Sequence, residues 1–330
     1  MNTKFAEPII AIVVPCYNEE EVLPETAKRL SVTIQQLVDK QLIDKNSKIT
    51  FVDDGSSDNT WGLIEKYHGE NPSLFCGIKL SGNRGHQNAL MCGLLAVASY
   101  VDAAISIDAD LQDDIDVIGK MTEKYRAGYE IVYGVRSSRE SDNIFKRATA
   151  QGFYRFMRFL GVDLVYNHAD FRLMGRNALK ALAEYGEVNL FLRGIVPLIG
   201  FKTGIEYYTR TERLAGTSKY PVRQMLKFAM EGITSFSVKP IRIITFLGVF
   251  LFTVSIAMIA YFFVRYFTGH TISGWASIAC SIWGIGGLIL FSIGIVGEYI
   301  GKIYLETKHR PRYHIEQFLF PEERKNEKIL

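Results

Sequence analysis

The chain has 330 residues, 48% of them hydrophobic and 22% charged, enough apolar material to fill a core and leave a surplus. A formal net charge of +3 is too small to suggest nucleic acid as a partner. The four cysteines, Cys16, Cys76, Cys92 and Cys280, lack the paired spacing of a zinc site or disulfide framework and read as reduced, structural residues.

In chain order, the first apolar run (residues 9–14) is too short for a secretory signal and leads directly into Pro15. From residue 8 to 135, short β-rich runs alternate with longer helical stretches, the pattern of a parallel sheet flanked by helices. Strands are expected at residues 9–14, 49–52, 74–80, 103–107 and 130–133. In such sheets ligands bind beyond the C-terminal ends of the strands. Pro15, Tyr17, Asn18 and Glu19 follow the first run, Asp53, Asp54, Gly55 and Ser56 the second, and Asp108, Asp110 and Gln112 the fourth. Three strand ends thus converge on carboxylates, whose mutual repulsion a divalent cation would relieve.

Each motif has a plainer alternative. Asp108 and Asp110, two positions apart, suit chelation of Mg²⁺ or Mn²⁺ shared with diphosphate oxygens and water, yet an isolated D-x-D also serves as a helix cap in an acidic turn. Ser57 or Asp58 is expected to cap the following helix, which leaves Asp53 and Asp54 unexplained; Asp53 could accept hydrogen bonds from a nucleobase or ribose. The run Pro15 to Glu19 can wrap a base and ribose, Tyr17 offering a stacking surface and Glu19 a carboxylate.

Residues 143–160 read as an amphipathic helix, with Phe145, Phe153, Phe156 and Leu160 opposite Lys146, Arg147, Arg155 and Arg158. It suits a membrane surface or, equally, a solvated helix packed on the core. Further on, residues 243–264 and 271–297 contain no charge, and each run is long enough to cross a bilayer. Gly284, Gly286, Gly287, Gly294 and Gly297 are expected to let the second span pack closely on the first. Lys239 and Arg242 before the hairpin, and Lys302, Lys308, Arg310 and Arg312 after it, predict cytoplasmic ends; Arg265 in the connection is a weaker opposing signal. These cations also suit anionic headgroups. The expected organisation is a catalytic domain over residues 1–210, a juxtamembrane segment at 211–240, two transmembrane helices at 241–300 and a cytoplasmic tail at 301–330.

Taken together in this order, the motifs resemble those of the family 2 glycosyltransferases of the polyprenyl-phosphate type, the group that includes dolichyl-phosphate mannose synthase. The resemblance runs on through Val135-Arg136, Asp170-Phe171-Arg172-Leu173-Met174 and Arg213-x-x-Gly216-x-Ser218-Lys219-Tyr220 to the hairpin. It implies an α/β fold, a Rossmann-like GT-A nucleotide-sugar domain carrying a C-terminal transmembrane hairpin. It implies inverting transfer from a nucleotide sugar, UDP-linked in the bacterial-type members, to a polyprenyl phosphate. By matching position, Pro15, Tyr17, Glu19 and Asp53 would contact the nucleoside, and Asp108, Asp110 and Gln112 would surround the metal and diphosphate. Arg136 and Arg139 would face the acceptor phosphate, and Arg213, Ser218 and Lys219 would close over the diphosphate, roles an arginine fork and a lysine point charge suit. Asp170 is a candidate base or acceptor-orienting group, with an ion pair to Arg172 or Arg176 as the alternative. Two departures are Gly82-Asn83-Arg84-Gly85, where the family has Arg-Asn-Phe-Gly, and Gly175, where an acid often stands.

Other classes remain open on sequence. A processive polysaccharide synthase would need a Gln-x-x-Arg-Trp motif and more spans; a non-catalytic scaffold would have no use for the acid motifs; a nucleotidyltransferase would release pyrophosphate. Association with a second copy of the chain is undecided.

Overall fold

The structure, a computed structural model, describes residues 7–110, 112–137, 168–188, 190–209, 239–268 and 275–320. These fall into two compact units, one containing the sheet and the other two long helices.

In the first unit the chain alternates β1 (Ile10–Cys16), α1 (Leu23–Asp39), β2 (Lys48–Asp53), α2 (Thr60–Glu70), β3 (Phe75–Leu80), α3 (His86–Val97), β4 (Ala103–Ser106), α4 (Val117–Arg126) and β5 (Ile131–Arg136). The five expected strands therefore all form. β6 (His168–Gly175), α5 (Arg176–Ala183), α6 (Leu192–Leu198) and β7 (Thr203–Tyr208) follow, and after the long helices comes β8 (Ile315–Leu319). The sheet order is β7-β5-β6-β4-β1-β2-β3-β8. β1 is parallel to both β2 and β4, β2 to β3, and β5 to β7, whereas β6 runs antiparallel to β4 and β5, and β8 antiparallel to β3.

Local sequence explains these choices. Every residue of β1, Ile-Ala-Ile-Val-Val-Pro-Cys, is buried, as a central parallel strand covered on both faces requires. Helix α1 opens with a proline in its first turn and buries Leu23, Ala27, Leu30, Ile34 and Leu37, a spacing that keeps one face on the core. Burial of each large aliphatic side chain contributes about 2 kcal/mol. Because β2 lies on one side of β1 and β4 on the other, a crevice opens beyond the C-terminal ends of β1 and β4, the usual ligand position in such sheets.

Gly175 has a steric reason. A Cβ there would lie 2.5 Å from the Glu130 carboxylate and 2.7 Å from the Tyr125 ring. That carboxylate instead accepts the Asn177 and Ala178 N–H groups at the start of α5.

The second unit contains α7 (Lys239–Phe267) and α8 (Trp275–Thr307), which overlap the uncharged runs at 243–264 and 271–297 and touch each other, α8 running on through Glu298 and Lys302. Phe246, Phe250, Leu290 and Phe291 are exposed, as on helices solvated by lipid. Among the described residues Gly284–Thr307 is long and apolar enough to span a membrane. Among the described residues, no atom lies within 4 Å of a Cβ placed on Gly284, Gly286, Gly287, Gly294 or Gly297.

Part of the expected tail belongs to the sheet. β8 pairs with β3, the Gln317 side chain accepts the Trp61 indole N–H at 3.1 Å, and Phe320 packs edge-on against Tyr100. Arg312, expected to meet headgroups, donates to the Tyr185 carbonyl.

Candidate active site

At the end of β1 and β2 two loops are stitched together by reciprocal hydrogen bonds. Asn18, in a left-handed conformation (φ 53°), donates its N–H to Ser56 Oγ at 3.0 Å and accepts the Ser57 N–H at 2.8 Å. Glu19 N–H donates to Thr60 Oγ1, and Glu20 N–H to Asp58. The cap of α2 differs from expectation: Asn59 occupies the cap position, while Asp58 accepts the N–H and hydroxyl of Thr60. A third loop is pinned by Asp54, whose oxygens accept the Arg84 N–H at 2.7 Å and the Gly85 N–H at 2.9 Å. These bonds go to backbone, so the shifted position of the arginine in Gly82-Asn83-Arg84-Gly85 leaves the loop anchored. Gly55 (φ 68°) allows the close approach, since a Cβ would lie 2.6 Å from the Asn83 nitrogen.

These loops enclose a cavity of about 170 Å³ lined by Pro15, Cys16, Tyr17, Glu19, Asp54, Asn83, Gly85, His86 and Ala89. Tyr17 is half exposed at its rim. Asp53 is fully buried at the end of β2; its Oδ1 accepts the Ser56 N–H, and its Oδ2 has no described hydrogen-bond partner. Burial raises the Asp53 carboxyl above its ordinary range. A buried acceptor without a donor is what a nucleoside N–H or O–H would satisfy.

Beyond β4 the site turns acidic. Burial, together with Asp170, Asp113 and Asp110 nearby, pushes the Asp108 carboxyl up to about 6, partly offset by His86. Asp110 accepts the Gln112 N–H at 3.2 Å, and the Gln112 side chain is buried. Among the described residues no three acid, histidine or cysteine side chains form a closed metal cage. The arrangement nevertheless fits a divalent cation: hard oxygen donors are clustered beside like charges that a cation would neutralise, and ions of this type complete their shell with water and phosphate oxygens.

Asp170, on β6, is the most heavily braced acid. Its carboxylate pairs with the buried Arg172 at 2.7 Å and with Arg193 at 3.1 Å, while Ser106 Oγ donates to its carbonyl. Burial alone would raise its pKa, but Arg193 and Arg172 hold it well below the usual carboxylate range. Of the two alternatives for an ion pair, Arg172 holds and Arg176 does not; Arg176 pairs with Asp102. Gln87 accepts the Leu192 N–H at 3.0 Å, tying the start of α6, and with it Arg193, to the start of α3. At the end of β5, Arg136 donates to Tyr208 at 3.1 Å and pairs with Asp113 at 3.4 Å, while the Tyr208 hydroxyl donates to Asp113.

The structure thus gathers Pro15, Tyr17 and Glu19 around one cavity, with Asp53 at the adjoining strand end, and sets Asp108, Asp110, Gln112, Asp170 and Arg136 at the ends of β4, β6 and β5. Arg139, Arg213, Ser218, Lys219 and the helix expected at 143–160 lie outside the described residues. Sequence reasoning missed His86, Asp113, Arg193 and Tyr208. His86 was within reach of the strand-end rule, since it follows β3 as the other motifs follow β1, β2 and β4.

A six-stranded parallel frame with one antiparallel strand within it and another at its edge, a cavity at its switch point and acids on the neighbouring strand end fit a GT-A glycosyltransferase, the class that the family match gives. The chain belongs to glycosyl transferase family 2, which residues 11–183 match, and residues 239–303 match the GtrB C-terminal hairpin. It is 53% identical to the uncharacterized glycosyltransferase YkoT of Bacillus subtilis (strain 168), over 97% of this chain and 95% of that one. It is 39% identical to the bactoprenol glucosyl transferase of Shigella phage SfX (93% and 98% covered), and 37% identical to the prophage bactoprenol glucosyl transferase homolog of Escherichia coli (strain K12) (93% and 98%). The hairpin associates this enzyme with membranes.

Proposed function

We propose that the enzyme transfers a sugar, with inversion, from a UDP-linked donor to a polyprenyl monophosphate at the cytoplasmic face of the membrane. The observation that carries the reading is the junction of the cavity with the acid cluster, both at the switch point of the sheet. The acceptor is supported by the relatives named for bactoprenol glucosyl transfer and by the hairpin. Strands on both sides of the hairpin, β1–β7 before it and β8 after it, share one sheet, which supports a chain that returns to the side it left, as two spans allow. The flanking lysines and arginines favour the cytoplasm for that side.

In this reading Pro15, Tyr17, Glu19 and Asp53 hold the nucleoside. Asp108, Asp110 and Gln112 would hold Mg²⁺ or Mn²⁺, which when bound offsets the charge developing on the departing diphosphate. Arg136, kept in place by Asp113 and Tyr208, faces the acceptor phosphate together with Arg139, and Arg213, Ser218 and Lys219 close over the diphosphate. An acceptor oxygen attacks the anomeric carbon as the bond to the nucleoside diphosphate breaks, and the electron pair leaves with the diphosphate. A phosphate monoester has its second pKa at about 6, so the nucleophile is already ionised near neutrality and needs no base. Asp170 suits this: a carboxylate kept so acidic by two arginines is a poor proton acceptor and serves to orient Arg193 and its neighbours.

The test is to incubate membranes containing the full chain with polyprenyl phosphate and radiolabelled nucleotide sugars. Label should become lipid-soluble with release of nucleoside diphosphate, and Asp110→Asn should lower the rate by at least about 10²-fold while leaving membrane insertion intact. Release of pyrophosphate, a water-soluble polymer, or wild-type turnover by the variant would sink the reading.

A further inference from the structure

We propose that His86 contacts the sugar moiety of the donor and so helps select which sugar is transferred; this deepens, and rests on, the reading of the chain as a nucleotide-sugar transferase. His86 is the first residue of α3 and borders two parts of the site. It lines the cavity with Pro15, Tyr17 and Glu19, and its Nε2 lies 3.5 Å from Asp108 Oδ1 and 3.7 Å from Asp170 Oδ2. A donor molecule runs in fixed order from nucleoside through diphosphate to sugar. With the nucleoside in the cavity and the diphosphate beside Asp108 and Asp110, the sugar comes next, toward Asp170, and His86 lies between.

The chemistry of the contact follows from the distances. Two carboxylates facing Nε2 favour the tautomer that carries hydrogen there. At 3.5 and 3.7 Å neither carboxylate is within the 2.7–3.2 Å of a good hydrogen bond. The N–H is therefore aimed between two acids without being taken up by either, and its side chain is 43% exposed, within reach of an incoming hydroxyl. A sugar hydroxyl accepts from His86 and can donate its own hydrogen to Asp108 or Asp170, a pairing that water in the same place gives up at little cost.

The side chain has no evident part in shaping its loop. Asp54 holds the backbone at Arg84 and Gly85, Asn88 Nδ2 donates to the Arg84 carbonyl at 2.8 Å, and Gln87 ties the turn to Leu192. Removing the imidazole should leave the fold standing.

The experiment uses the full chain in detergent with UDP-glucose and its monodeoxy analogues, one for each sugar hydroxyl. For the wild type, one analogue should lower kcat/KM by about 3- to 10-fold, the range of a single lost hydrogen bond to a partly exposed group. His86→Ala should lose a similar factor with UDP-glucose itself and show no further loss with that analogue, while thermal stability stays at the wild-type value and UDP affinity falls by less than kcat/KM does. His86→Gln, which keeps an N–H donor, should recover part of the discrimination. An unchanged deoxy profile in His86→Ala would overturn the proposal, as would a loss equal for all donors and matched by weaker UDP binding. Absence of any wild-type transfer from UDP-glucose would instead count against the donor reading beneath it.

Discussion

The two ends of the site are held by different physics. At the cavity end, loops after β1, β2 and β3 are fixed by hydrogen bonds into backbone, such as Asp54 to Arg84 and Gly85, and by contact at Gly55 too close for a side chain. At the Asp170 end, position is fixed by buried charge, with Arg172 and Arg193 on one carboxylate. A backbone-held loop gives a cavity of defined shape whatever its exposed side chains, which suits a constant part of a ligand such as a nucleoside. A charge-held cluster tolerates neither loss nor gain of one member, which suits a step in which charge moves.

The difference predicts unequal responses to substitution. Arg172→Met should have the largest effect on stability, about 3 kcal/mol, because it strips the buried partner at 2.7 Å from an almost fully buried carboxylate. Chemical denaturation in detergent measures it; a loss below about 1 kcal/mol would show that Arg193 alone neutralises Asp170. Gly55→Ala should cost less, about 2 kcal/mol, from a left-handed φ and a Cβ set against the backbone of Gly82 and Asn83. Its functional signature differs as well: UDP binding should weaken as the cavity wall shifts, whereas a stability loss with unchanged UDP affinity would mean that the loop's shape does not matter to the ligand.

More of the cavity end than of the charged end was legible in sequence, for a physical reason. Strand-end rules locate residues from a local pattern, an apolar β run followed at once by polar residues, and that pattern exists at Val14-Pro15, Val52-Asp53 and Ile107-Asp108. Asp170 was found through its motif and Arg172 was one of its two expected partners, but Arg193 was missed because it reaches the carboxylate from a separate helix, more than 20 residues away in the chain. Arg176, six residues from Asp170 and a nominal partner, is carried past the end of β6 to the far end of β4, where Asp102 takes it. The same limit hid β8, a strand that no local pattern separates from a charged tail and that the β3 edge recruits from across the hairpin.

The smallest expected effect tests where the two regimes meet. Asp108 sits between the cavity and the charged cluster, and its folded-state pKa of about 6 exceeds the value of about 3.9 for an unfolded aspartate. Between these values the folded state binds more protons than the unfolded state, so this group makes stability fall as pH rises through the window. Asp108→Asn removes the term. Without added metal, the variant should melt at the same temperature as wild type near pH 4 and a few degrees higher near pH 7, the gap opening between those limits. Mn²⁺ or Mg²⁺ should close the gap by raising the melting temperature of the wild type alone, because ligand that binds only the folded state stabilises it. A gap already present at pH 4, or one that metal leaves open, would mean that crowding of like charge at Asp108 is not what a cation is there to relieve.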